Sequence, residues 1–174
     1  ILNKSLAITH HTAIVGVTGT GKSVFARNLI REFLKDNNTK VICIDFTNEY
    51  ENKFSDLSLK TIVDDTLSNT LFNKIDKIEM IVGKNYNKDN DNSLKLRKEV
   101  EKSMNGKLVE FLKGKEQLSI FELPHVENTS GVLSYTKTFF RLLFNNAKKE
   151  YNYGKRVCLV LEEVHTIIPE WNFS

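Results

Sequence analysis

Only two cysteines occur in the 174 residues, and both sit in apolar, strand-like runs, Val41-Ile42-Cys43-Ile44 and Val157-Cys158-Leu159-Val160-Leu161. Thiols so placed act as small buried hydrophobes and make neither a disulfide framework nor a zinc site. No apolar run approaches the ~18 residues of a membrane-spanning helix. The opening Ile1-Leu2-Asn3-Lys4 is not a signal peptide, so no membrane association is expected and a cytoplasmic protein is the default. An initiator methionine is also missing, which points to a piece of something larger. Nor is there a strong charge of one sign: 25 Lys+Arg against 22 Asp+Glu leave +3, with a pI near 8.8. That balance permits contact with nucleic acid without arguing for it, and any mildly basic soluble protein shares it. The pair His10-His11 has no Cys, His or Asp at ligand spacing nearby and is a poor metal site.

What is present is ordinary globular composition, 40% hydrophobic and 27% charged, at a length that suits one domain with a real core. Within it, Gly16-Val17-Thr18-Gly19-Thr20-Gly21-Lys22-Ser23 fills the pattern G-x-x-x-x-G-K-[ST] without a mismatch. A glycine-rich turn with no ligand satisfies the same pattern; the flanks separate the two readings. The apolar run Thr12-Ala13-Ile14-Val15 precedes the loop and a helix-like stretch, Lys22 to Lys35, follows it, so strand, loop and helix come in the required order. Glycines at 16, 19 and 21 let successive backbone N–H groups turn toward a β-phosphate at the positive end of the next helix, where a side chain would block the approach. Thr18, Thr20 and Val24 complete the expected contact set. Lys22 reaches the β- and γ-phosphates as a point charge, and the Ser23 hydroxyl ligates the bridging magnesium. ATP and Mg2+ are the cofactors this stretch predicts.

After the loop, Val24, Phe25, Leu29, Ile30, Phe33 and Leu34 recur at helical spacing, and one face is expected on a sheet. Lys40 to Asp45 is continuously apolar through 41–44, as in a strand covered on both faces. Asp45 therefore stands at a strand's carboxyl end, where open α/β sheets place their sites. The polar stretch Phe46-Thr47-Asn48-Glu49-Tyr50 follows, with Glu49 a further candidate, although a solvated loop has the same composition.

Residues 65–115 change character. Leu71, Ile75, Ile78 and Val82 mark one amphipathic helix, and Leu96, Val100, Met104, Leu108 and Leu112 a second, across the polar run from Lys84 to Asn92. From Lys74 to Lys115 there are 11 Lys+Arg against 7 Asp+Glu, which suits either a phosphate backbone or, more simply, solvated helix faces. Leu118 to Leu123 alternates like a strand, and Ser130 to Glu150 reads as a helix with Val132, Leu133, Phe139, Phe140, Leu143 and Ala147 inward. The expected fold is α/β, a largely parallel doubly wound sheet with strands at 12–16, 40–45, 118–123 and 157–161. Residues 1–64 and 116–174 form its core, and 65–115 are a lysine-rich helical insertion.

The last apolar strand ends in Glu162-Glu163. Two acids at the end of a strand are what a phosphate loop needs as its second half: Glu162 for the magnesium shell, Glu163 to orient and polarise water as general base. An acidic helix N-terminus would also explain two glutamates; beside an intact phosphate loop the catalytic reading is the stronger.

Taken together, His11 to Ser23, then Ile44-Asp45-Phe46-Thr47-Asn48-Glu49-Tyr50, then Leu161-Glu162-Glu163-Val164-His165 with Pro169 resemble the HerA branch of the HerA/FtsK ATPases. The resemblance covers roughly residues 6–50 and 156–170. Two positions depart from the family pattern: Asn48 stands where glycine is usual, a mild change because Asn tolerates left-handed backbone, and Glu162 replaces the more usual aspartate. The resemblance implies a RecA-like core in a hexameric DNA-translocating motor, acting on duplex DNA with a nuclease partner in DNA-end processing or with an effector in bacterial antiviral defence. It also implies a further strand between those bearing Val15 and Val160, and a sensor and an arginine finger, all beyond Ser174. Two other readings stay open. A small-molecule kinase also uses a phosphate loop, with 65–115 as its lid, but the paired acids favour water activation. A nucleotide-gated assembly module would bind ATP and recruit an effector without turnover.

Overall fold

The computed structural model describes residues 12–17, 19–45, 50–84, 91–123 and 129–162. Helix α1 (Lys22–Phe33) leads to β1 (Thr39–Asp45), the short α2 (Tyr50–Lys53) and β2 (Leu59–Val63). Two long helices follow, α3 (Asp65–Lys84) and α4 (Asp91–Lys113), then β3 (Leu118–Glu122), α5 (Thr129–Glu150), a 3-10 turn at Tyr151–Gly154 and β4 (Arg156–Leu161). The four strands are all parallel in the order β2-β3-β1-β4. This is an α/β fold consistent with a RecA-like phosphate-loop core.

Each strand's alternation sorts its side chains between two layers. Val41 and Cys43 of β1, with Leu118 and Ile120 of β3, pack against Ile30 and Phe33 of α1, Tyr50 of α2 and Phe54. Ile42 and Ile44, with Phe121, face the opposite way onto the larger cluster from α3, α4 and α5, including Leu71, Ile75, Met104, Leu108 and Phe139. Phe121 and Phe139 stack with ring centroids 3.9 Å apart. A sheet apolar on both faces is stable only between two helical layers, which is why β1 reads as an unbroken apolar run. The stripes Val100, Met104, Leu108 and Leu112 of α4 and Leu71, Ile75 and Ile78 of α3 are buried as their spacing requires. Lys74 to Glu99 (2.9 Å) and the Arg141–Glu101 pair link α3 to α4 and α4 to α5 at the surface.

At the amino end of the sheet two polar anchors hold the crossings. Lys40, 2% exposed, donates from Nζ to the carbonyls of Phe111 (2.8 Å), Gly114 (2.8 Å) and Glu116 (2.7 Å), so its charge closes the negative end of α4. Asp36 accepts from Thr39 Oγ1 (2.7 Å), the Asn38 amide (3.1 Å) and Arg156 (2.5 Å), tying the end of α1 to the starts of β1 and β4.

Four expectations need correction. Residues 12–17 form no strand: Val15 is 91% exposed and the run lies off the sheet. An apolar run becomes a strand only where a neighbour takes its N–H and C=O groups, and among the described residues the outer edge of β4 carries no strand partner. Val24 and Phe25 are exposed because the first turn of α1 projects past the packed layer that begins at Ala26. In α5, Phe139 is buried and Val132, Phe140 and Leu143 pack against the core as expected, but Leu133 is exposed, and Tyr135 and Leu142 join the buried face where α5 meets β3 and α4. Lastly β2, with Lys60 and Thr61 breaking its apolar pattern, is an edge strand that sequence reading leaves unassigned. Among the described residues no helix is long and apolar enough to cross a membrane.

Candidate nucleotide-binding site

The glycine pattern has a conformational basis here. Gly19 and Gly21 hold φ of +83° and +85°, a left-handed backbone that side-chain-bearing residues adopt only under strain. Gly16 is constrained differently: a Cβ there would meet Thr20 Oγ1 at 2.8 Å, and that hydroxyl is engaged, donating to the Val17 carbonyl at 2.7 Å. The Thr20 amide also turns back to Val17 O (3.3 Å), and Lys22 Nζ donates to the same carbonyl at 3.1 Å. The loop thus wraps around one backbone oxygen, with Lys22 folded over it.

Gly21 is the N-cap of α1, so no side chain caps the helix, and the first turn carries no acidic residue. The amides that open a helix have no partner within it. Here they are left to an incoming acceptor at the positive end of the helix dipole. That fits an anionic phosphate group.

The second half arrives through the sheet. β1 and β4 pair in register with Ile44 opposite Leu161, and the Glu162 amide donates to the Ile44 carbonyl at 3.4 Å, so the residue after β4 emerges at the same carboxyl edge as the end of β1. There Ser23 Oγ donates to Glu162 Oε1 at 2.8 Å, and the Tyr50 hydroxyl donates to Glu162 Oε2 at 2.5 Å. A hydroxyl oxygen and a carboxylate at hydrogen-bond distance are hard oxygen donors, the kind a magnesium ion takes. Asp45 ends β1, opposite Glu122 of β3, which is 9% exposed.

Of the residues singled out from sequence, the structure brings Gly16, Gly19, Thr20, Gly21, Lys22 and Ser23 into one loop and sets Glu162 against it; Val24 lies in the adjoining helical turn. Thr18, Glu49 and Glu163, like His10 and His11, lie outside the described residues. Tyr50 is the residue that sequence reading did not single out. It stood at the end of the Asp45–Tyr50 stretch, but an aromatic after a polar loop gives no sign of the carboxylate it will meet, 112 positions further on.

Comparison with known proteins found no match among curated proteins and none among solved structures. Residues 1–82, which hold the phosphate loop, the first two strands and most of α3, match the family model of the central domain of the helicase HerA. With the loop geometry and the parallel sheet in place, the match supports a HerA-like family assignment for that stretch of the chain.

Proposed function

We propose that this chain is the nucleotide-binding part of an ATP-driven DNA translocase of HerA type, which hydrolyses ATP to move duplex DNA and works as an oligomeric, hexameric ring with a nuclease or another effector. Residues 1–64 and 116–174 make up the ATPase core in this reading, with the helices of 65–115 as an addition to it. The observation that carries it is the hydrogen bond from Ser23 Oγ to Glu162 Oε1, which joins the phosphate loop to the end of an apolar strand bearing a second acid.

The uncapped start of α1 and Lys22 would bind the triphosphate, and Ser23 and Glu162 would hold its magnesium. The ion, when bound, neutralises charge on the β- and γ-phosphate oxygens. Glu163, next in sequence, would orient the attacking water and take its proton. Asp45, which ends β1, and Glu49 stand as further candidates.

In the intact protein, Lys22→Ala should abolish nucleotide binding, whereas Glu163→Gln should keep binding and lose turnover by at least about 100-fold. Duplex DNA should raise the ATPase rate of the wild type. Turnover stimulated by a small metabolite instead would identify a kinase, and binding with assembly but no turnover would identify a nucleotide-gated module. Undiminished hydrolysis by Glu163→Gln would remove that residue from its role.

A further inference from the structure

Glu162 is held at both oxygens. Ser23 donates to Oε1 at 2.8 Å, and the hydroxyl of Tyr50 donates to Oε2 at 2.5 Å. The two donors come from different elements, Ser23 from the first turn of α1 and Tyr50 from the first residue of α2. Tyr50 is itself fixed. Its side chain is 4% exposed and its ring lies 5.5 Å from that of Phe54, which is wholly buried. The guanidinium of Arg31 lies over the far ring at 5.3 Å and is paired with Asp56 through two contacts, of 2.6 and 2.8 Å. A chain of packed groups from α1 through Phe54 therefore sets where the phenol points.

Glutamate at position 162 has one more rotatable bond than the aspartate usual at such a site. A carboxylate on that longer arm, on a half-buried residue just past a strand end, samples several rotamers unless something holds it. A single hydrogen bond from Ser23 leaves the second oxygen free to swing, whereas two donors on opposite oxygens define the carboxylate plane.

We propose that Tyr50 is a positioning residue for the metal shell: its hydroxyl pins Oε2 of Glu162 so that Oε1 stays on Ser23, and so makes a glutamate serve where a shorter acid would need no support. The proposal rests on the reading above that Ser23 and Glu162 hold magnesium.

Tyr50→Phe keeps the ring and its contact with Phe54 and removes only the hydroxyl. In the intact protein, Mn2+ binding in the presence of ATP, followed by electron paramagnetic resonance, should weaken about 10-fold, as for loss of a group that orients a metal ligand. The Mg2+ concentration for half-maximal ATPase should rise by a similar factor. Nucleotide affinity without metal should stay within twofold, and the thermal midpoint within a few degrees. In a Glu162→Asp background the carboxylate no longer reaches both donors, so Tyr50→Phe should lose most of its effect. Tyr50→Phe with unchanged Mn2+ binding, while Glu162→Gln weakens it, would overturn the proposal. If Glu162→Gln too leaves Mn2+ binding unchanged, the assignment of Glu162 to the metal fails, and the proposal with it. A variant Tyr50→Phe that loses metal affinity equally in the wild-type and Glu162→Asp backgrounds would show that the hydroxyl does not act through Glu162.

Discussion

Ser23 and Glu162 are 139 positions apart in the chain, yet the Ser23 hydroxyl donates to the Glu162 carboxylate at 2.8 Å. The contact is partly buried and charge-assisted, the stronger kind of hydrogen bond. A double-mutant cycle of Ser23→Ala and Glu162→Gln, read by urea denaturation without nucleotide, should give a coupling of about 1 kcal/mol. Strictly additive effects would show that the two side chains do not meet in solution.

Lys40 should be a large contributor to stability at the end of the sheet remote from the loop. All three of its ammonium hydrogens go to the carbonyls of Phe111, Gly114 and Glu116, and the ammonium also lies 4.7 Å from the Phe111 ring centre. Lys40→Met keeps the packing of the stem but leaves those carbonyls without their donor, at a cost of about 3 kcal/mol. Chemical denaturation measures it; a loss below about 1 kcal/mol would mean that water replaces the ammonium without penalty.

Asp36 should make stability fall in acid. The hydrogen bond from the Thr39 hydroxyl, then that from the Asn38 amide, with the charge of Arg156 adding to them, holds its carboxyl below the usual carboxylate range. Because the folded pKa is depressed, the unfolded chain takes up the proton first as pH falls. The contribution is therefore fully present above the unfolded value of about 3.9 and is lost as pH drops through the folded one. Asp36→Asn should flatten the stability curve below about pH 4 relative to the wild type, as read by thermal melts across that range.

Neither cysteine should be reactive in the folded protein. Cys43 is 1% exposed, and burial pushes the Cys158 thiol up to about 11. A free thiol titrates near 8.5, so at neutral pH the thiolate fraction of Cys158 is lower by on the order of 100-fold. Iodoacetamide labelling under native conditions should be slower by a similar factor than in urea, and rapid native labelling would place Cys158 at an open surface.

Much of the local structure was written in short-range pattern. The helices of α3 and α4 follow from apolar residues every three or four positions, β1 from four consecutive apolar residues, and the loop from three glycines and a lysine at set spacing. Those signals are legible because hydrogen bonds within a helix, and the φ > 0 requirement of a turn, depend on residues a few places apart. They were least legible where neighbours decide: Thr12 to Val17 has a strand's composition but not a strand's partner, and in α5 Tyr135 is buried while Leu133 is exposed.

This protein's residues alone carry the pattern of a phosphate loop, an α/β alternation and an apolar run followed by two acids. Only the tertiary structure decided the order β2-β3-β1-β4, the pairing of Ile44 with Leu161, and the meeting of Ser23 and Tyr50 on one carboxylate. The physical reason is that strand order and side-chain convergence are set by which apolar faces can be covered at once, a property of the whole core and not of any window of sequence. A tyrosine's role in such a site is invisible until the fold has brought its hydroxyl to the glutamate.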